Sequence, residues 1–331
     1  MAEFKIPPRT TNHEGGERRV GVELEMARIR AEDMAAAVTD CLGGVVERES
    51  SFVSHVRGTL LGDFRIELDA EVLKSRSYLE HLARLGVEVE PGDLRDNLED
   101  VLSRVAGLVV PHELVCPPIP FSQLATLDRV RKKLHESGAR GTQSSPFYAF
   151  GLQLNVEIWD QDVQAILPVL QAFFIHYERL LEASRVDLAR KLSPYVQPFP
   201  EDYVARVLDP DYDPDLESLI DDFLQFTPTR NRPLDPLPLF AWLAKEQVMA
   251  APVEHDLIKA RPAWHYRLPN CLVDDPDWDL AMPWNDWVEV ERLAADPERI
   301  RSLAGARLAG SSDLRRWLSG VRRRLGNWFR S

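Results

Sequence analysis

The sequence predicts an α+β protein in which a sheet packs one face on helices and presents the other, lined with carboxylates and amides. Three segments carry that expectation. Across residues 20–26, 64–69 and 152–158, apolar side chains alternate with acidic or amide ones, the period of a strand with one buried side. Helical spacing occupies much of the chain between them, and no repeat of 20 to 50 residues is visible.

Residues 1–17, rich in Pro, Gly, Thr and charge, read as a flexible lead-in able to fold over a site. In the run 18–26, Val20, Val22, Leu24 and Met26 oppose Gly21, Glu23 and Glu25. A helix over about 31–42 follows and stops at Gly43-Gly44. Residues 45–69 read as two or three strands, the last setting Phe64, Ile66 and Leu68 against Arg65, Glu67 and Asp69. Helical spacing returns over 93–108, then HELVCPP at 112–118 makes a short strand closed by two prolines. A helix over about 121–137 precedes the second strong strand, where Leu152, Leu154, Val156 and Ile158 oppose Gln153, Asn155 and Glu157. A long helix is predicted over 161–192.

Residues 193–238 are proline-punctuated and acidic. Asp209, Asp211, Asp213, Asp215, Glu217, Asp221 and Asp222 gather there without a base, which reads as a solvated loop and helix face rather than a metal site. In residues 311–331, Leu314, Trp317, Leu318, Val321, Leu325, Trp328 and Phe329 form a helical stripe opposed by six arginines. Such a helix suits docking on the acidic body or a partner, or association with a membrane surface. The expected division is a lead-in at 1–17, a catalytic domain at 18–290 and a helical segment at 291–331.

Forty Lys and Arg against 53 Asp and Glu leave a net charge of −13, the wrong sign for a general nucleic-acid binder. Cys41, Cys116 and Cys271 are odd in number and widely spaced, so a cytoplasmic protein without disulfides is expected. No signal peptide or membrane span is apparent. Phosphate-binding glycine loops and the serine-hydrolase elbow are absent, and Gly15-Gly16 and Gly43-Gly44 read as turns. His265 reads as a packed, hydrogen-bonded residue. Trp278, Trp284 and Trp287 read as core rather than as a lid over a cationic amine.

Two carboxylates at i and i+2 on a strand stand roughly 6–7 Å apart on one face. One such pair is an ordinary amphipathic strand. Three strands bearing Glu23 and Glu25, Glu67 and Asp69, and Gln153, Asn155 and Glu157 make a cradle for Mg²⁺ and a polyphosphate, since Mg²⁺ takes oxygen ligands and keeps waters and phosphates in its shell.

The run from Arg18 to Glu25 resembles the opening strand of the amidoligases, bacterial relatives of the glutamine synthetase and glutamate–cysteine ligase superfamily. HELVCPPIP at 112–120, AFGLQLNVEI at 149–158, and the arginine-bearing segments 227–233 and 261–269 resemble later segments of the family, in order. The resemblance covers about residues 17–290. It implies a curved antiparallel sheet of the glutamine synthetase type with helices on the convex side. It also implies an ATP-dependent carboxylate–amine ligase, forming an amide or isopeptide bond through an acyl phosphate on an amino acid, peptide or small metabolite.

By the same resemblance Glu23 and Glu25 hold Mg²⁺ on the ATP phosphates, and Glu67 or Asp69, Glu113 and Asn155 are further metal candidates. Gln153 and Asn155 are candidates for contacting the nucleotide. Arg267, with Arg230 and Arg232 as alternates, would supply a cation at the transferring phosphoryl group. A glutamine amidotransferase-type partner is a further expectation. The family strand carries histidine where this chain has Gln153, so that position either orients nucleotide or substrate, or marks a catalytically lapsed binding scaffold.

Overall fold

The computed structural model describes residues 3–50, 52–68, 112–142, 151–184 and 196–309. Asp69, the helix predicted over 93–108, the predicted end of the long helix and the stripe at 311–331 lie outside them.

The described strands are β1 (Arg19–Met26), β2 (Val45–Arg48), β3 (Val53–Thr59), β4 (Gly62–Leu68), β5 (His112–Val115), β6 (Ile119–Pro120), β7 (Leu152–Glu157), β8 (Leu234–Asp235) and β9 (Ala263–Tyr266). They form one sheet in the order β2-β3-β4-β5-β1-β7-β9-β8, with β6 also paired to β1. Every pairing is antiparallel. Among the described residues the outer strands β2 and β8 do not pair, so the strands described leave the sheet open. The first strand in sequence is therefore the centre of the sheet.

The alternation read in β1 has its physical outcome here: Val20, Val22, Leu24 and Met26 are fully buried, each contributing about 1.5–3 kcal/mol of apolar transfer. Helix α1 (Ala31–Leu42) packs on α2 (Leu124–Glu136) and on the β2–β4 end of the sheet. It ends where Gly43 adopts φ 71° and its amide bonds the Thr39 carbonyl, a left-handed stop suited to glycine. Helix α3 (Val163–Ala183) begins at Asp162, whose carboxylate accepts the Gln164 amide. It lies along α8 (Ala281–Ala294). Tyr266 of β9 touches Phe173 of α3 and Trp287 of α8, so these helices cover the apolar face. Trp278, Trp284 and Trp287 are buried, as core residues.

The acidic run resolves into helix caps and ion pairs around α4 (Glu201–Val207) and α5 (Leu216–Phe226), which α6 (Leu237–Leu243) and α7 (Lys245–Ala250) follow. Asp215 caps α5 through the Ser218 amide, while Asp222 takes Arg206 and the Tyr212 hydroxyl. Residues 3–17 are laid against the body. Trp284 donates to the Lys5 carbonyl at 2.8 Å, and Asn12 donates to the Glu157 carboxylate at 3.0 Å. Next to this segment, Arg18 grips Glu291 of α8 at 2.8 and 2.7 Å in a fully buried ion pair. Helix α8 runs through residue 290, and Ile300 and Ala304 join the same core. Among the described residues no helix is long and apolar enough to cross a membrane.

Candidate active site

Strand register assembles the polar face in rows. Glu25 of β1 stands opposite Glu113 of β5, and Glu113 opposite Glu67 of β4. Neighbouring strands are about 5 Å apart, so these acids make one continuous row. In the next row Glu23 lies between Gln153 of β7 and Val115 of β5, with Arg65 beyond. The third row runs from Gly21 through Asn155 of β7 and His265 of β9 to Asp235 of β8. Glu23, Glu25, Glu67, Glu113, Gln153 and Asn155 thus share one face.

Hydrogen bonds hold these groups. Asn155 Nδ2 donates to Glu23 Oε1 at 2.7 Å, and Gln153 Nε2 donates to Asn155 Oδ1 at 2.8 Å. Gln153 Nε2 also approaches His265 Nδ1 at 3.2 Å. The Gly151 amide donates to Glu25 Oε2 at 2.6 Å, and Arg65 pairs with Glu67. Gly21 keeps the floor low: a Cβ there would stand 3.3 Å from Asn155 Cβ and 3.4 Å from its Nδ2, crowding the amide that bonds Glu23.

Burial, with neighbouring charges second, sets the protonation. Burial first, then the charges of Glu23 and Glu25, a hydrogen bond with Glu23 and the charge of Glu67 push the Glu113 carboxyl well above the carboxylate range. That shift favours its protonated form. Burial likewise raises the Cys116 thiol, leaving it no thiolate character at neutral pH. Burial, followed by Arg261, Arg267 and Arg230, holds His265 well below its usual value, so the imidazole is neutral. Burial raises Asp235 to about 6 against the opposing pull of Arg267.

Beside Glu23 and Asn155 opens a cleft of about 600 Å³, within the size range of small-molecule sites. Arg19, Arg65 and Arg261 line it with Glu157, and Pro117, Pro118 and Pro262 supply apolar walls. The sequence-predicted arginines stand elsewhere. Arg232 is buried, its guanidinium donating to Thr227 Oγ1 and to the carbonyls of Gln197 and Pro198, so it ties two loops together. Arg267 donates to the Arg230 carbonyl at 3.1 Å. Its charge and that of Arg230 act on Asp235 and His265. The described residues lining the cleft include none of these three.

Arg19, Arg65, Arg261 and Asp235 were not singled out from sequence. Arg261 opens one of the arginine-bearing segments already noted, which was the available signal. Asp235, between prolines, offered none.

The profile of a family described as a putative amidoligase enzyme matches residues 16–289. The chain belongs to this amidoligase family. No curated protein and no solved structure matches it. The matched span of this family member includes every residue of the polar face from Glu23 to His265, together with the cleft arginines.

Among the described residues no three His, Cys, Asp or Glu side chains converge as a ready-made metal cage. The donor set nonetheless fits a hard cation. It is all oxygen, burial and then neighbouring carboxylates push Glu113 upward, and Mg²⁺ needs only one or two carboxylates when waters and phosphates complete its shell.

Proposed function

We propose that the chain is an ATP- and Mg²⁺-dependent carboxylate–amine ligase on a glutamine synthetase-like sheet. A substrate carboxylate takes the terminal phosphoryl group as an acyl phosphate. An amine then attacks, phosphate leaves, and an amide or isopeptide bond remains. The observation that supports this most is the carboxylate row of Glu25, Glu113 and Glu67 beside Glu23, next to a cleft lined by guanidinium groups.

Mg²⁺ held by carboxylates drawn from Glu23, Glu25, Glu67 and Glu113, with Asn155, would neutralise the polyphosphate charge. Around it the chain's own residues position and screen, which is most of what phosphoryl transfer asks of a protein. Asn155 fixes Glu23 through its amide. Glu113 surrenders its proton as the site fills. Arg19 and Arg261 reach oxyanions of the acid substrate or the phosphates, as guanidinium geometry favours. Pro117, Pro118 and Pro262 keep water from the cleft wall. Arg267 and Arg230 act through their charges on Asp235 and His265. The substrates are an amino acid, a peptide or a small metabolite, and a glutamine amidotransferase-type partner would process γ-glutamyl products.

The test is Mg²⁺-dependent ATP turnover with pooled amino acids and polyamines as acceptors, in the wild type and Glu25→Gln. Turnover in the wild type and a loss of about 100-fold or more in the variant is expected. A folded wild type that binds no Mg²⁺-nucleotide would overturn the ligase reading in favour of a lapsed scaffold.

A further inference from the structure

The hydrogen bonds that cross from β9 through β7 to β1 have a direction that chemistry dictates. Glu23 as a carboxylate can only accept, so Asn155 must turn its Nδ2 toward it. That leaves Asn155 Oδ1 facing Gln153, where an oxygen needs an N–H, so Gln153 must present Nε2. The same Nε2 carries a second hydrogen toward His265 Nδ1. That ring nitrogen must therefore be bare, and the imidazole proton sits on Nε2. Each amide orientation follows from the one before it, and the charge of Glu23 sets them all.

We propose that His265 is a positioning residue for Glu23, acting through the side-chain amides of Gln153 and Asn155. The proposal rests on the metal-holding reading of Glu23 given above. His265 is 6 % exposed and its Nε2 has no hydrogen-bond partner among the described residues, so the bond at Nδ1 is the polar contact the ring makes there. Were the proton to move to Nδ1, two N–H groups would face each other. Gln153 would then turn its oxygen to the ring, Asn155 would follow, and a carbonyl oxygen would meet the carboxylate of Glu23. The neutral Nε2–H tautomer thus keeps an N–H on Glu23 and its carboxylate in one orientation. Gln153 suits this role because one nitrogen gives two N–H bonds, which a ring nitrogen of histidine cannot do.

The test uses the full chain with Mn²⁺ as the probe, its binding followed by electron paramagnetic resonance without nucleotide. His265→Leu removes the acceptor and is expected to weaken Mn²⁺ binding by about tenfold. His265→Asn places an oxygen near the Nδ1 position and is expected to restore affinity toward the wild-type value. In ¹⁵N spectra of the wild type, His265 should carry its proton on Nε2, with the side-chain NH₂ signals of Gln153 and Asn155 protected from exchange. Those signals should lose protection in His265→Leu and keep it in His265→Asn.

Equal weakening by both variants, no weakening by His265→Leu, or a proton on Nδ1 in the wild type would each overturn the proposal. If the wild type binds no Mn²⁺, the metal reading of Glu23 fails. The tautomer and amide signals, measured on the wild type alone if His265→Leu does not fold, then still decide whether the relay positions Glu23.

Discussion

Replacing Asp235 by Asn tests the electrostatics of the face through a magnitude the structure supplies. Asp235 is 1 % exposed in β8, opposite His265, and its Oδ1 accepts the Leu237 amide at 3.0 Å. Burial raises its pKa from 3.8 to about 6, with Arg267, the Leu237 amide and Arg230 pulling the other way. Between those values the native state holds a proton that the unfolded chain has released. Stability therefore falls as pH rises through that window and is level above it. A shift of about two units corresponds to about 3 kcal/mol. Asparagine keeps the carbonyl acceptor for Leu237 and has no proton to lose. Relative to wild type, Asp235→Asn should thus gain about 3 kcal/mol between pH 4 and pH 8. Urea unfolding of both proteins across that range measures the difference, and the raised Glu113, common to both, cancels. A difference that stays flat with pH would mean that Asp235 is ionised in the fold, held by Arg267, and would refute the burial argument.

Glu291→Ala should cost about 3–5 kcal/mol in urea unfolding, because it leaves the Arg18 guanidinium charged and buried without its carboxylate; a cost below 1 kcal/mol would show that Arg18 finds another partner. Glu113→Gln puts a neutral amide where burial and like charge disfavour a carboxylate, so at pH 8 without metal it should melt about 2 °C or more above wild type. The same variant should lose the stabilisation that Mg²⁺-nucleotide confers on wild type, and retention of that shift would remove Glu113 from the metal set. Gly141→Ala should destabilise by about 1–3 kcal/mol, since a Cβ there would fall 2.1 Å from the Cys271 carbonyl oxygen; a neutral result in thermal melting would mean that this contact relaxes freely.

Much of the face is legible in the sequence. Glu23, Glu25, Glu67, Gln153 and Asn155 stand where alternation placed them, because side-chain direction in a strand depends only on position along that strand. Glu113 could be flagged by resemblance, but its role as the crowded member of the row depends on β5 lying between β1 and β4. His265 read correctly as packed and hydrogen-bonded. That its partner is Gln153 required β9 to pair with β7. The arginines were the least legible. Arg232 and Arg261 both flank prolines in suggestive segments, yet one is claimed by the carbonyls of a neighbouring loop and the other lines the cleft. A long flexible cation follows whichever acceptors its surroundings offer.

The sequence by itself determined the polar and apolar side of each main strand, the acidic balance and the family. Those properties are local or additive, and a one-residue slip would bury the acids and expose the valines, so the faces are strongly encoded. Only the tertiary structure decided which strands adjoin. It set Glu25 against Glu113 and Glu67, brought Asp235 beside His265 from a proline-rich stretch, and bound Arg232 into a loop junction. Strand order is a choice among long-range closures that packing of the whole chain settles, and no local pattern records it.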